Sequence, residues 1–485
     1  MADMRAALAF HRFGLGARPG DLDRLKGAAR DALLGELRQP PSAFFETLKP
    51  SHLALQDLME FQGEKRAARQ VAKQQQQQTP PQQTQAPVAP DTKAPEKKAT
   101  TAPPAPAKPP EAMQPAPVNP VPAIFQGEMQ ARFRTGLRSD IGFRDRLVLF
   151  WSNHFSISAI NPRVRVLAGA YEREAIRPHL TGRFSDMLLA VTRHPAMLIY
   201  LDNAQSIGPN SIAGLRMKRG LNENLAREIL ELHTLGVDGG YTQDDVTRFA
   251  EVLTGWSIVA ANGQGGVPGT FLFRPAAHEP GPRKVLGENY PQLDQSQARA
   301  VLEDLARHPS TARHIARKLC RHFIADDPPP SAVERVAAAF KASDGNLTAV
   351  YEALLSAPEA WEPRLMKLRP PYEFVLATLR ALDVVPEPGQ VARALQLLGH
   401  IPFQAASPKG WPEEAGAWAA PDAFKTRLDF AEQAAKRALR SRPLELAQGV
   451  LGPLLSDETT TAIKRAESES QATTLLLMAP EFQRR

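Results

Sequence analysis

Residues 74–122 constrain the fold of this 485-residue chain more than any other stretch, because they cannot build a core. They read QQQQQTPPQQTQAPVAPDTKAPEKKATTAPPAPAKPPEAMQPAPVNPVP and hold 14 of the 44 prolines. With almost no branched or aromatic apolar side chains, the segment cannot bury enough surface to offset the entropy of ordering. We predict a disordered, Pro/Gln/Ala-rich insertion at 74–122. It interrupts one domain, whose first helices lie at 1–73 and whose remainder lies at 123–485.

Apolar side chains recur at helical spacing through most of the remaining sequence. Sustained alternation, which is typical of strands, is nearly absent, and the exception predicts one small hairpin between 271–273 and 284–286. We therefore predict an all-α fold, a large multi-helix bundle-like domain with one small β-hairpin excursion. The helices predicted after the insertion are 173–179, 184–192, 224–235, 243–253, 295–306, 311–325, 332–343, 347–356, 372–382, 388–398, 422–440 and 459–466.

The composition disfavours several classes of protein. The net charge of +7 is spread along the chain with no aromatic residues interleaved in a basic run, so nucleic-acid binding is not indicated. The single cysteine, Cys320, excludes an intramolecular disulfide, and no stretch approaches the roughly 18 apolar residues of a membrane span. The early apolar run AALAF is too short for a signal peptide, so we expect a cytoplasmic protein. The standard hydrolase, kinase and dehydrogenase motifs are absent from the sequence.

The stretch ENLAREILELHTLGVDGGYTQDDV, at 223–246, concentrates acidic side chains on a predicted helix. At about 100° per residue, Asn224, Glu228 and Glu231 share one face, with Arg227 beside them. Two interpretations remain open. The face is either solvated and stabilised by i,i+4 ion pairs, or its two carboxylates act as acid and base or bind a metal. His233 lies about 160° from Glu231, which argues against a Glu-x-His site.

The stretch LVLFWSNHFSISA places Trp151, Asn153 and His154 where an apolar helix ends. A single histidine beside aromatic residues is usually a satisfied core residue. A cluster of Trp, Asn and His at a helix end also suits the rim of a pocket. Both interpretations stay open for this segment.

Three loops supply further polar candidates. Asp202 and Asn203, in IYLDNAQS, are either turn residues or the lining of a pocket. His278 and Lys284 lie in HEPGPRKVLG, a turn whose glycine and prolines fix its shape. Trp411, in SPKGWPEEAGAWAAP, either covers the core or contacts a ligand.

Several of these stretches together resemble a known family. ALAFHRFGLGARPGDLDRL, FWSNHFSIS, NENLAREILELHTLGVDGGYTQDDV, LTGW, HEPGPRKVLG, KLRPPYEFV and GWPEEAGAW occur in the order expected of domain-of-unknown-function family 1800, a large bacterial group. The resemblance covers nearly the whole chain outside the insertion and implies no established reaction. The family's typical His-Asp is His278-Glu279 here, which keeps the charge and lengthens the arm. Because the family motifs coincide with the polar clusters, one shared pocket explains them better than separate caps.

The resulting hypothesis is an enzyme with a buried polar site that acts on a small molecule or a protein; hydrolysis and oxidation are both open. The predicted catalytic residues are His154, Glu228, Glu231 and Arg227. The predicted substrate contacts are Trp151, Asn153, Asp202, Asn203, Asn224, His278, Lys284 and Trp411. A divalent metal would be bound by His154, Glu228 and Glu231, whereas haem is disfavoured. The alternative is a non-catalytic binding or scaffold protein whose Pro-rich insertion contacts a protein partner.

Overall fold

The computed structural model describes residues 3–40, 42–78, 117–217, 220–387, 389–438 and 442–485. The predicted disordered insertion at 74–122 lies largely outside the described residues. Where the two overlap, the helix Ser51–Gln78 continues through the glutamine run, and the helix Val121–Arg138 begins before the predicted segment ends. Glutamine is a good helix former, and proline is tolerated in the first turn of a helix, so both extensions are compatible with the sequence.

Helices form nearly all of the regular structure in these ranges, which confirms the predicted all-α class. The α-helices of eight residues or more are Ala29–Glu36, Ser51–Gln78, Val121–Arg138, Phe143–His154, Phe184–Arg193, Gln243–Leu253, Gln295–Arg307, Pro309–Phe323, Pro330–Ala342, Leu347–Ser356, Pro371–Ala381, Gln390–Leu397, Pro421–Arg437, Pro443–Leu451, Asp457–Lys464 and Glu469–Met478. The shorter ones are Met4–Leu8, Asp21–Arg24, Pro162–Arg165, Ala168–Tyr171, Pro195–Tyr200, Ile212–Met217, Asn224–Glu228 and Pro480–Gln483. None of the helices in the described part of the chain has the length and apolar character needed to cross a bilayer.

Local sequence signals set many of these helix starts. Several helices carry proline at the first helical position, where its missing N–H costs nothing. Gln243–Leu253 begins with a capping box, in which Thr242 and Asp245 each accept from the other's backbone N–H. These signals fix where the polar loops between helices begin.

The strands occur close to the predicted positions, but the predicted pairing of 271–273 with 284–286 is wrong. Trp256–Ile258 pairs antiparallel with Phe271–Phe273, and Arg283–Val285 pairs antiparallel with Glu288–Tyr290. The second hairpin closes through two residues of positive φ, Leu286 at 50° and Gly287 at 86°. That backbone geometry matches the twist of adjacent strands, so the strand at 283–285 pairs with its nearest neighbour in sequence.

In the described ranges, three short π-helical segments interrupt the helical pattern, at Ala9–Phe13, Glu172–Ile176 and Ile229–His233. The helix predicted at 224–235 is therefore α-helical at Asn224–Glu228 and π-helical beyond. A π segment inserts an extra residue into a turn and changes which side chains share a face.

The helix Pro371–Ala381 is the centre of the core, since all of its residues are buried. Its Phe374 and Ala377 pack into one apolar cluster, which includes the helix Glu469–Met478. Its Val375 and Leu376 pack into a second cluster with side chains of Val121–Arg138. The polar side chains at the start of this helix are therefore held in a rigid setting.

Buried polar groups join the beginning of the chain to much later segments. His11 Nε2 lies 2.7 Å from the carbonyl oxygen of Val450. Arg12 donates to the carbonyl oxygens of Ala360, Glu362 and Arg364 at 2.6–2.8 Å. Such contacts satisfy buried guanidinium groups without an acidic partner.

Candidate functional site

Three of the sequence motifs named above converge on one cavity of about 80 Å³. They are FWSNHFSIS, KLRPPYEFV and GWPEEAGAW. We call it the motif cavity and define it by eight of its lining residues. These are Arg132, Asn153, His322, Tyr372, Glu373, Trp411, Glu413 and Arg485. Its lining therefore mixes acids, bases and aromatic rings, which is typical of a ligand site.

Asn153 fixes the loop that carries Trp411. Its Nδ2 donates to the carbonyl oxygen of Trp411 at 2.9 Å, and its Oδ1 accepts from the N–H of Trp411 at 2.7 Å. Gly410 lets the two backbones approach, because a Cβ there would lie 2.5 Å from the carbonyl oxygen of Asn153. The structure thus places both predicted residues in the cavity wall, with Asn153 as the support of the loop.

Two further contacts hold the next residues of this loop. The Nζ of Lys367, a fully buried side chain, donates to the carbonyl oxygen of Glu413 at 2.5 Å. Asp326 forms an ion pair with Lys367 and accepts from the backbone N–H of Ala415 at 2.8 Å. With its backbone fixed on both sides, the Glu413 side chain has a defined position at the cavity.

The Glu413 carboxylate is bound by a histidine whose protonation can be assigned. His322 Nε2 lies 3.2 Å from a nitrogen of Arg146, and His322 Nδ1 lies 3.3 Å from Oε1 of Glu413. Because a guanidinium group only donates, Nε2 must accept and the proton resides on Nδ1, facing Glu413. Burial, Arg485 and Arg146 hold the pKa of His322 well below its ordinary value, so the ring is neutral.

Glu373 is the second acid of the cavity and is fully ion-paired. Its Oε2 lies 3.2 Å from Arg146 and 2.9 Å from Nε of Arg485. Burial raises its pKa, but the charges of Arg146 and Arg485 outweigh burial and leave the pKa below the usual value. Glu373 is therefore ionised and neutralises part of the positive charge around it.

Two aromatic rings hold the Arg132 side chain in the cavity lining. Its guanidinium lies 5.1 Å from the ring of Tyr372 and 4.6 Å from the ring of Phe403, and its Nε lies 2.8 Å from Glu172. Within the described part of the chain, the Tyr372 hydroxyl and the second carboxylate oxygen of Glu413 make no hydrogen bond. These groups remain able to bind a ligand.

His154 lies outside the lining of the motif cavity. It is buried, and its Nε2 lies 3.1 Å from the carbonyl oxygen of His233. His314 Nε2 lies 3.0 Å from the carbonyl oxygen of Leu232 in the same way. Burial is the main reason why the pKa of His154 lies well below its ordinary value. Lys318 and the imidazoles of His233 and His314 lower this pKa further. Both rings therefore cap the end of the π segment Ile229–His233 as neutral donors.

The predicted acidic helix face lies apart from this cavity lining. Arg227 pairs with Glu223 at 3.1 Å, and Asn224 is exposed. Glu228 is half-buried, and burial, then the charge of Glu231, raises its pKa. His154 forms its hydrogen bond with a carbonyl oxygen, and after burial the largest effect on its pKa comes from the charge of Lys318. The predicted catalytic roles of these residues stay predictions.

The other predicted contacts are distributed over the fold. Trp151 is buried and donates to the Tyr351 hydroxyl at 2.7 Å. Asp202 is an exposed turn residue with a φ of 57°, and Asn203 donates to two backbone carbonyl oxygens at 3.2 Å. Lys284 is exposed on its strand. None of these four residues belongs to the motif cavity as described.

The histidine of the hairpin motif is held in a second polar cluster. His278 Nδ1 lies 3.0 Å from the carbonyl oxygen of Thr254. Glu279 accepts from the backbone and side chain of Asn210 at 2.9 and 2.6 Å. A Cβ on Gly208 would lie 2.5 Å from Oε2 of Glu279, so that glycine makes room for the longer acidic arm. This cluster joins two loops.

Sequence reasoning missed most of the charged residues of the motif cavity. Glu373 and Glu413 stand inside the quoted motifs KLRPPYEFV and GWPEEAGAW, which offered a signal that was not used. Arg146, His322 and Arg485 are isolated charges in helical or terminal sequence, and nothing local distinguishes them from exposed residues. No group of three or more His, Cys, Asp or Glu side chains within the described ranges is arranged to hold a metal ion.

The chain belongs to a family of proteins of unknown function, DUF1800, whose model matches residues 8–484. The match confirms the family resemblance over nearly the whole chain. No curated protein and no solved structure matches the sequence.

Proposed function

We propose that the protein is an enzyme whose active site is the motif cavity, with Glu413 as general acid and base. The observation that carries this proposal is the hydrogen-bonded chain from Arg146 through His322 to Glu413. It orients one carboxylate oxygen and leaves the other without a partner within the described part of the chain. Carboxylates held in this way transfer protons in many reaction classes.

The other residues around Glu413 have roles that follow from their contacts. His322 and Arg146 position Glu413, and Asn153 positions the loop that carries it. Tyr372 and Trp411 offer a hydroxyl and an indole N–H to the substrate. In this proposal the Trp-x-Asn-His segment contributes Asn153 to the site, and Glu373 and Glu413 supply the acids in place of the predicted Glu228 and Glu231.

The experiment compares Glu413→Gln with Glu414→Gln. Glu414 is the adjacent residue, half-exposed and paired with Arg321 at 3.1 Å on the surface, so it is a matched control. Each purified full-length variant is incubated with a broad mixture of small metabolites, whose consumption is followed by mass spectrometry. We expect wild type and Glu414→Gln to consume the same compound, and Glu413→Gln to be about 100-fold slower or worse.

Equal consumption by Glu413→Gln and wild type would show that Glu413 is not the acid–base group. Consumption by none of the proteins would overturn the enzymatic proposal and favour the non-catalytic binding alternative. Thermal unfolding of the three proteins shows whether a loss of turnover reflects a loss of folding. The side chain at 413 is largely buried, so a fall in unfolding temperature is measured before rates are compared.

A further inference from the structure

We infer that the motif cavity binds the carboxylate group of a small organic acid, with Arg132 and Arg485 as its partners. This inference deepens the proposed function, since it names the ligand class of the same cavity. It begins from an imbalance of buried charge. The guanidinium groups of Arg146, Arg369 and Arg485 are all fully buried around Glu373 and Glu413, so three positive charges face two carboxylates. Buried charges are normally paired, so the excess favours a further anion.

Arg380, another buried arginine, donates hydrogen bonds from all three of its side-chain nitrogens. Arg380 donates to the carbonyl oxygens of Gly16, Gly136, Ser139 and Asp140 at 2.6–3.1 Å. Arg485 instead donates to the carbonyl oxygen of His322 and pairs with Glu373. The Nη2 group of Arg485 makes no hydrogen bond within the described part of the chain. Backbone oxygens therefore satisfy all three side-chain nitrogens of Arg380, whereas Arg485 keeps an unused donor.

The second guanidinium, that of Arg132, also lines the cavity with unused donors. Its Nε faces Glu172, and the guanidinium group contacts the rings of Tyr372 and Phe403. Neither of its terminal nitrogens donates to a hydrogen-bond acceptor within the described part of the chain. A guanidinium held in this way is preorganised for a planar, two-oxygen partner.

The cavity favours a carboxylate over a phosphate for two reasons. Glu373 and Glu413 also line it, so a dianion would meet stronger repulsion than a monoanion. Its volume of about 80 Å³ corresponds to roughly three water molecules, which is enough for an anionic end group. The remainder of a larger acid would extend toward the opening of the cavity.

The experiment measures binding of acetate, acetamide and inorganic phosphate to the full-length protein by isothermal titration calorimetry at constant ionic strength. Acetamide is a neutral analogue of acetate, so the difference between their affinities measures the contribution of the ligand's charge to binding. We expect acetate to bind with a Kd in the millimolar range or tighter, and acetamide to bind at least about tenfold more weakly. Phosphate binding tighter than acetate would overturn the carboxylate assignment, and no measurable acetate binding would overturn the inference.

Arg132→Lys locates the binding site, because lysine keeps the charge beside Glu172 but loses the planar fork. We expect acetate binding to weaken at least about tenfold in this variant. Arg173→Lys is the control, since Arg173 pairs with buried Glu128 at 2.6 Å and lies outside the cavity lining. Equal weakening by both variants would contradict the site. If Arg132→Lys does not fold, acetate and acetamide on wild type still test the ligand class, and the change of acetate affinity in Glu413→Gln tests the location.

Glu413→Gln separates this inference from the proposed function. Removal of a carboxylate from the cavity lowers repulsion, so the variant should bind acetate at least as tightly as wild type while losing turnover. Turnover without acetate binding would contradict the inference alone. Acetate binding with full turnover in Glu413→Gln would contradict the acid–base role alone.

Discussion

At the scale of single residues, the close approach of the backbones at Asn153 and Gly410 explains the position of the loop that carries Trp411. The side chain of Asn153 binds both the N–H and the carbonyl oxygen of Trp411, as a neighbouring strand does in a sheet. The contact requires glycine at 410, where φ is +86° and a side chain would meet the backbone of Asn153. The sequence shows both residues, in FWSNH and KGWPEE, but not that they touch.

We predict that Gly410→Ala destabilises the protein more than Gly399→Ala does. Gly399 has a φ of +72° with nothing within 4 Å of an added Cβ, so its replacement costs only the backbone strain, about 1 kcal/mol. Gly410→Ala adds a clash with backbone, worth about 1–3 kcal/mol more. Chemical denaturation measures both variants. Equal losses would mean that residues 153 and 410 are not in contact.

The isolated charges of the cavity could not be predicted, for a physical reason. Arg146 and His322 lie on helices whose apolar positions explain their folding, so a charged residue there is expected to face solvent. Their burial depends on Glu373 and Glu413, which come from segments far away in sequence. Only the three-dimensional contacts show that these charges neutralise one another.

At the scale of elements, the helix predicted at 224–235 is α-helical at Asn224–Glu228 and continues as the π segment Ile229–His233. The change to π geometry at Ile229 moves the following side chains relative to those before it. Glu223 is held by Arg227, Gln243 and Thr247, whereas Glu228 and Glu231 repel each other. The same helix therefore contains one stabilised and one strained carboxylate.

We predict opposite effects for Glu228→Gln and Glu223→Gln. Neutralising Glu228 removes repulsion from Glu231, so the free energy of unfolding at pH 7 should stay unchanged or rise by about 0.3 kcal/mol. The raised pKa means that any gain disappears in acid, where Glu228 is protonated in both states. Glu223→Gln should cost about 0.5 kcal/mol, because it weakens charged hydrogen bonds.

Urea denaturation of both variants at pH 7 and pH 4 measures these differences. A loss of several kcal/mol in Glu228→Gln would contradict the repulsive role and indicate that its charge belongs to a buried ion-pair network.

At the scale of the whole molecule, six histidines whose pKa is strongly lowered make stability depend on pH. They are His11, His154, His233, His314, His322 and His400. Burial, the first cause in each case, lowers the pKa of His11, His233 and His400 to about 3 and that of His314 to about 4. On unfolding, each pKa returns to about 6.5, so the unfolded chain binds more protons below that pH.

We predict a steep loss of stability in mild acid. The contribution of each neutral histidine is complete above pH 6.5 and is lost as the pH falls toward the folded pKa. Between pH 7.5 and 5.5 the loss is about 1.4 kcal/mol per histidine, or about 8 kcal/mol if all six stay neutral. Urea unfolding at the two pH values measures it. A loss smaller than that of one histidine would contradict the neutral assignments.

The sequence was sufficient for the fold class, because periodic apolar positions specify helices locally. It was insufficient for the pairing of strands, since Leu286 is an unusual residue for a turn with positive φ. For the site, it supplied Asn153 and Trp411 but not the acids that face them. Site geometry depends on distant segments meeting, and one sequence does not report those contacts.

The long-range contacts of His11 and Arg12 also bear on how the chain is made. The partner of His11 at Val450 is separated from it by 439 residues. At about 5–20 residues per second, a ribosome takes roughly 20–90 s to synthesise that interval. During that time the contact between His11 and Val450 cannot form, although Leu15 can already bind Ile141. This buried part of the domain therefore closes only after the region around Val450 has been synthesised.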